Sequence, residues 1–455
     1  MFLINYKIDS HSFPYIFFNH VYCFLDDCLY LLAYLFGLPY FRHFTGLPST
    51  IKIEPLLILI HFLSHVMSIQ HFSSIYPNVV FRSKVRTSFK SYTSRALDTH
   101  FKDLFDNQVQ FGKSIFNAFL DRTLHTVLAV ALTQSGKTGS MLSIIYHFIS
   151  SPSLAIPIRN VFIITGHSSS EWLLQTKERF PSIMHANIYH RNGLAHFSRK
   201  LKNLTNVLIL IDETQIASYT NQTIQAALRA AGISEDTMYF RDIKFVLVSA
   251  TPNSCVKRFI PKRVGYELVY MNPAPGYRSI FDFHDMGLLR QSRDLCGFDI
   301  VTNSVIPSTF DHIRDIPLSS IPQYHIIRTH HSFKHDLTMD NFRTVFGTKA
   351  VYLSMPDLAI LSTKPTIHTF IFIKETLRCA KTIDKTYVGV LYERSSRKVS
   401  DSSIIQGLAG RATGYHSLPL IIFTNIPSVE RYRLLWDNKF DPSVRWTNYK
   451  PSWNI

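Results

Sequence analysis

From about residue 88 onward, short apolar runs rich in branched and aromatic residues alternate with longer stretches in which apolar positions recur every three or four residues. Short runs bounded by turn residues read as strands, and the longer stretches as amphipathic helices. Four such runs fall at 126–132, 160–165, 207–211 and 244–249. They are apolar throughout, without an in-out alternation, which predicts strands buried on both faces of a parallel sheet covered by helices. A second series follows at 324–329, 350–353, 368–373, 387–392 and 420–424. Between the two series the chain is less regular and rich in Pro and Ser, with a turn signal at Pro273-Ala-Pro275-Gly276. The pattern predicts an α/β protein with two lobes in tandem, the first over 88–265 and the second over 323–455, joined by a linker with peripheral elements over 266–322. No internal repeat of roughly 20–50 residues is visible, so solenoids and propellers are set aside.

Residues 1–87 differ. Residues 1–80 are crowded with Phe, Tyr, Leu, Ile and His, and Asp9, Asp26, Asp27 and Glu54 are their only acids. The apolar run over 56–69 is interrupted by His61 and His65 and is shorter than the roughly 18 residues that a bilayer span needs. No basic segment precedes it, as a signal peptide would require. We expect a hydrophobic, helical N-terminal extension, with three readings open: an accessory domain, a membrane-associated hairpin, or a poorly ordered segment upstream of a natural start at Met67.

A length of 455 residues accommodates two to four domains at roughly 100–200 residues each. With 46% apolar residues, each lobe can bury an ordinary core, which excludes intrinsic disorder. Lys and Arg number 48 against 32 Asp and Glu, a net charge of +16 that favours nucleic acid over an acidic protein partner. The five cysteines are scattered and odd in number, which fits a reducing compartment and an intracellular protein, in the cytoplasm or nucleus of a cell or virus-infected host. Cys23 and Cys28 lack a second ligand pair at zinc spacing, so no metal site is expected there.

The chemistry concentrates in three places. The octet ALTQSGKT (131–138) directly follows a predicted strand and precedes an amphipathic run. Small residues let successive backbone N–H groups point at a phosphate, and the helix N-terminus favours its negative charge. Gly136 allows the close approach, Lys137 supplies a cation for β- and γ-phosphates, Thr138 offers a hydroxyl to Mg2+, and Thr133, Gln134 and Ser135 complete the loop. The apolar strand over 207–211 ends in Asp212 and Glu213, carboxylates at the edge where open α/β sheets bind ligands. Asp212 is placed to hold the magnesium, Glu213 to orient and deprotonate a water. Third, Ser249 and Thr251 in SATP (249–252) can bridge the acidic pair to the neighbouring lobe.

AxTxSGKT, DExQ and SATP, in this order and spacing, resemble motifs I, II and III of superfamily 2 helicases of the DExD/H-box type, over about residues 105–425. The resemblance implies two RecA-like lobes that sandwich ATP and Mg2+ and move along or unwind DNA or RNA. It implies a coupling role for Gln215. A motif V is suggested by the segment 375–383, with Arg378 in coupling, and a motif VI by QGLAGRATGY (406–415). These imply catalytic roles for Gln406 and for Arg411 as the arginine finger, with Arg394 and Arg397 in reserve. Gln110, or Gln108, resembles the family's adenine-reading glutamine. Trp172 falls where motif Ia meets the nucleic-acid backbone, although such a residue is more often core, and Ser168–Ser170 could donate to phosphates.

Several positions depart from the family pattern. Ala131 and Gln134 stand where it has glycines, three residues rather than two separate Gln406 from Gly410, and Tyr415 stands near its second arginine. TQSGKT with GRxxGY resembles a divergent branch among viral and restriction-associated proteins. The function implied is an ATP-dependent helicase or translocase contacting mostly single-stranded backbone, within or beside a replication, transcription or restriction complex, and not a membrane. The alternative is a catalytically weak helicase-like subunit that acts as a nucleic-acid clamp or scaffold.

Overall fold

The structure of the chain is a computed structural model that describes residues 101, 103–214, 223–252, 265–374, 377, 382–396, 399–415 and 420–447. All of these lie in one structural unit, Thr87–Ile455. The expected N-terminal extension, Gln215, Arg378 and Arg397 lie outside the described residues.

The first lobe contains, in chain order, α1 (Asp106–Ala118), β1 (Thr126–Val130), α2 (Lys137–Ser150), β2 (Val161–Thr165), α3 (Ser170–Arg179), β3 (Ile188–Tyr189), α4 (Leu194–Leu201), β4 (Val207–Asp212), α5 (Thr223–Ala230), α6 (Glu235–Phe240), β5 (Ile243–Ser249) and β6 (Glu267–Tyr270). Its six strands form one parallel sheet in the order β3-β2-β4-β5-β1-β6. Every residue of β1, β2, β4 and β5 is buried, because helices cover both faces. On one face α1 and α2 bring Phe111, Ile115, Ile144 and Phe148 against Val127 and Ala129. On the other, Phe197, Leu201 and Ile224 pack on Phe162, Ile209 and Leu247.

The chain continues through β7 (Tyr277–Arg278), α7 (Ile280–Asp285), β8 (Leu289–Gln291), the hairpin of β9 (Phe298–Asp299) and β10 (Ser304–Val305), and α8 (Ser308–Arg314). The second lobe follows with β11 (Tyr324–Arg328), α9 (Phe333–Phe346), β12 (Ala350–Ser354), β13 (His368–Ile373), β14 (Val388–Tyr392), α10 (Asp401–Ile405), α11 (Leu408–Ala412), β15 (Gly414–Tyr415), β16 (Ile421–Thr424) and α12 (Ile426–Asp437). Its parallel sheet runs β12-β13-β11-β14-β16-β8. Two six-stranded parallel sheets are what tandem RecA-like lobes require.

The stretch 266–322, expected as linker and peripheral elements, differs from that reading. It contributes an outer strand to each sheet, β6 beside β1 and β8 beside β16. Both are three or four residues long and partly exposed, so neither leaves a continuous apolar run to read. The same stretch supplies β7, which pairs antiparallel with β15.

The lobes share core. Val130 and Leu132, leaving β1, belong to one apolar cluster with Leu408, Ala409 and Ala412 of α11 and with Ile280 and Phe283 of α7. Below α11 lies a buried ion pair, Arg328 Nη1 to Glu393 Oε2 at 2.9 Å, whose side chains are 4% and 5% exposed. The Glu393 carboxylate also accepts from the backbone N–H of Leu408 at 3.3 Å, and Arg328 donates to the Leu377 carbonyl at 3.0 Å. Breaking such a pair leaves a buried charge without its counter-ion, which costs about 3–5 kcal/mol. Glu393→Ala is expected to lower the unfolding free energy by about that amount, read as a reduced midpoint in urea denaturation.

Candidate nucleotide site between the lobes

After β1 the chain turns sharply out of the sheet. The Ser135 hydroxyl donates to the Leu132 carbonyl at 2.8 Å, Gln134 adopts φ +56°, and Gly136 adopts φ +104° as the N-cap of α2. That left-handed conformation suits glycine. Lys137 and Thr138 are thus the first residues of the helix, with its unpaired N–H groups around them. Gln108 seals the loop from behind. Its amide donates to the Gly136 carbonyl at 3.0 Å, and its carbonyl accepts from the Phe105 N–H at 3.1 Å. A Cβ at Gly139 would come within 2.6 Å of that amide nitrogen, so a larger residue there would push the Gln108 amide out of this position. Gln110, the glutamine assigned to adenine, is instead exposed on the opposite side of α1, because 108 and not 110 shares a face with the buried Phe111, Gly112 and Ile115.

The acidic pair stands at the end of β4, and β5 separates β4 from β1. Two strand spacings, roughly 10 Å, therefore lie between the loop and the carboxylates, and Lys137 spans them: its Nζ is 4.0 Å from Glu213 Oε1. Asp212 is held on both oxygens, accepting from the Trp172 indole N–H at 2.9 Å and from the Glu213 N–H at 3.0 Å. Glu213 itself adopts φ +51°. A non-glycine residue there costs on the order of 1–3 kcal/mol and persists only where neighbours enforce it. Here the following residue does so: the Thr214 hydroxyl donates to the Val248 carbonyl at 3.0 Å.

Burial, reinforced by the Glu213 charge, pushes the Asp212 carboxyl up to about 6. A buried carboxylate with a charged neighbour is a site that a divalent cation would relieve. The donors on hand, the Asp212 carboxylate and the Thr138 hydroxyl, are hard oxygens of the kind Mg2+ takes together with phosphate. These residues fit the ion. Thr138 Oγ1 also accepts from Arg179 Nη1 of α3 at 3.3 Å, a cation that the sequence did not single out.

The second lobe and the connecting stretch with β7 meet the loop through polar contacts. Thr133 O accepts from the Tyr277 hydroxyl at 2.6 Å and the Thr413 hydroxyl at 2.9 Å. The Gln134 amide donates to the Arg411 carbonyl at 3.3 Å, which gives the residue at this glycine position of the pattern a definite contact. Gln406 Nε2 donates to Thr251 Oγ1 at 2.9 Å, and Thr251 N–H donates to Ser249 Oγ at 3.0 Å, so SATP does meet the other lobe. Arg411 is 4% exposed and donates to the Gln406 carbonyl at 3.1 Å. Burial holds the His167 imidazole, just beyond β2, below its ordinary range, with the Glu213 carboxylate raising it and the Arg411 guanidinium lowering it. Lys385 donates to the Thr413 carbonyl at 2.6 Å, and burial, with Arg411 adding, pushes its amine down to about 8. Arg394 lines a small crevice with Arg293, Asp294 and His330 in the second lobe.

The structure therefore brings Lys137 to Glu213, and bonds Thr133, Gln134 and Thr251 of the first lobe to Thr413, Arg411 and Gln406 of the second. Trp172 is buried, as a core residue would be, yet its indole N–H also holds Asp212. Tyr277, Lys385, Thr413 and His167 carry no spacing signal, since each reaches this region only through tertiary packing. Tyr415 accepts from the Ala274 N–H at 3.0 Å, and its ring lies near-parallel to Phe105, centroids 6.4 Å apart.

No protein-family model matches the chain. An uncharacterized protein of Acanthamoeba polyphaga mimivirus, L594, is 26% identical over 363 residues, covering 74% of this chain and 86% of the viral protein. Among solved structures, the chain is similar to the Escherichia coli DEAH/RHA helicase HrpB, with TM-score 0.43, 13% identity, and coverage of 74% of this chain and 44% of HrpB. A second structure, of the E. coli DExH-box NTPase HrpB, gives TM-score 0.42 and 14% identity over 70% of this chain and 42% of that one. The chain spans less than half the length of these HrpB chains, and the structural similarity is weak and broad.

Because the folded Asp212 titrates near 6 and an ordinary Asp near 3.8, the folded state binds more protons between those values. Asp212 therefore loses stability for the fold as pH rises through about 6. Asp212→Asn removes that loss. Its melting temperature relative to the parent's, measured without Mg2+, is expected to rise by about 2–6 °C between pH 4 and pH 7.5, on top of a pH-independent cost because its amide offers one acceptor to two N–H donors.

Proposed function

We propose that the chain is an ATP-driven nucleic-acid motor, hydrolysing ATP between its lobes to translocate along or unwind DNA or RNA. The observation that carries this reading is the meeting of Lys137 and Glu213 at 4.0 Å, at the edge of one sheet, with the other lobe bonded to the same loop through the Gln134 amide and the Arg411 carbonyl. The loop N–H groups and Lys137 would bind the β- and γ-phosphates through charge-assisted hydrogen bonds. Thr138 and Asp212 would hold Mg2+, which when bound neutralises charge on the phosphate oxygens. Glu213 would orient a water and accept its proton.

Arg411 is the proposed arginine finger, stabilising charge from the second lobe. Gln406 and Thr251, with Ser249 and the flanking Gln215 and Arg378, are the proposed route by which this state reaches the nucleic-acid contacts. Since the Gln108 amide is committed to backbone on both sides, the base is proposed to rest against an aromatic face offered by Phe105 or Tyr415. The net charge of +16 and the hydroxyls of Ser168–Ser170 favour sequence-tolerant contacts to phosphate, made by a single strand. The reading places the protein in a replication, transcription or restriction complex as a motor subunit.

ATP turnover measured in parallel with single-stranded DNA, single-stranded RNA and duplexes tests the reading. Lys137→Ala is expected to lower kcat at least about 100-fold while the protein remains folded, as read by circular dichroism. Glu213→Gln is expected to bind ATP and not turn it over. Turnover by Lys137→Ala at the parent rate, or none by the parent with any nucleic acid, overturns the reading and leaves the clamp.

A further inference from the structure

The stretch from the end of β2 into α3 places two residues near the acidic pair. Trp172, in α3, holds Asp212, and His167 follows β2 as Glu213 follows β4. β2 lies beside β4 with Thr165 opposite Asp212, which sets His167 at the same sheet edge as Glu213. Its backbone is pinned at both ends: its N–H donates to Thr165 Oγ1 at 3.3 Å, and its carbonyl accepts from the Arg191 N–H at 2.7 Å. Its Nε2 is buried and has no hydrogen-bond partner among the described residues. A fixed backbone ending in a buried, unsatisfied ring nitrogen indicates a place for a missing polar partner. Burial holds this imidazole below its ordinary titration range, Glu213 raising it and Arg411 lowering it, so the ring is neutral at pH 7.

We propose that His167 is a positioning residue for the attacking water, accepting one of its hydrogens at Nε2 while Glu213 accepts the other. The inference rests on the ATPase reading above and deepens it. Gln406, the sequence's candidate from the second lobe, has its amide nitrogen on Thr251 at 2.9 Å, whereas His167 stands on the same rigid sheet as Glu213. With two acceptors on its hydrogens, the water turns a lone pair toward the terminal phosphorus. As that O–P bond forms, the bond from phosphorus to the bridging oxygen breaks and its electron pair leaves on the diphosphate. One proton passes to Glu213, and His167 neither gains nor loses one.

Steady-state ATP turnover by the full chain, with stimulating nucleic acid, is compared for the parent, Lys137→Ala, His167→Ala and His167→Gln. His167→Ala is expected to lower kcat about 10–100-fold with KM within about twofold. His167→Gln, whose amide reaches the position of Nε2, is expected to recover most of the loss. Both should melt within a few degrees of the parent. An active parent with an inactive Lys137→Ala and a His167→Ala at the parent rate overturns the inference alone. So does a loss that glutamine does not restore and that comes with a raised KM, the signature of a structural role. A parent without turnover overturns the ATPase reading and the inference with it.

Discussion

The structure is organised around two adjacent carboxylates kept out of water. Asp212 and Glu213 repel each other, and burial makes that repulsion more costly. Their surroundings answer it with a lysine from the neighbouring loop, an indole N–H and a backbone N–H. Each answer depends on the parallel sheet. Only strands running in the same direction bring the end of β1, the end of β4 and the segment after β2 to one edge. The left-handed backbone at Glu213 belongs to the same arrangement, because it turns the second carboxylate back across that edge toward Lys137.

How much of this could be read in advance varies with the physics of each element. The buried strands were legible because a parallel sheet covered on both faces needs uninterrupted apolar runs, and 207–211 and 244–249 are such runs. β3, β6 and β8 were not, since strands of two to four residues draw their stability from neighbours rather than from a pattern of their own. Gln108 is a different case. Its phase with Phe111, Gly112 and Ile115 on α1 was available in the sequence, and helical periodicity separates it from Gln110.

The residues that sequence reading brought forward are those whose chemistry is local to a loop or a strand end, such as Lys137 and Asp212. Those it missed act across the chain. Tyr277 and Thr413 converge on one carbonyl of the loop after β1 from positions 144 and 280 residues away. No spacing encodes that meeting, which follows from β7 pairing with β15.

The seam in which Val130 and Leu132 pack with α7 and α11 bears on how the two lobes can move against each other. Prising the halves wide apart would wet that greasy patch, at about 25 cal/mol for each Å2 of apolar area laid bare. A slide that keeps the patch covered avoids most of that charge. Small shearing steps, rather than a gaping hinge, are the cheaper stroke for this geometry.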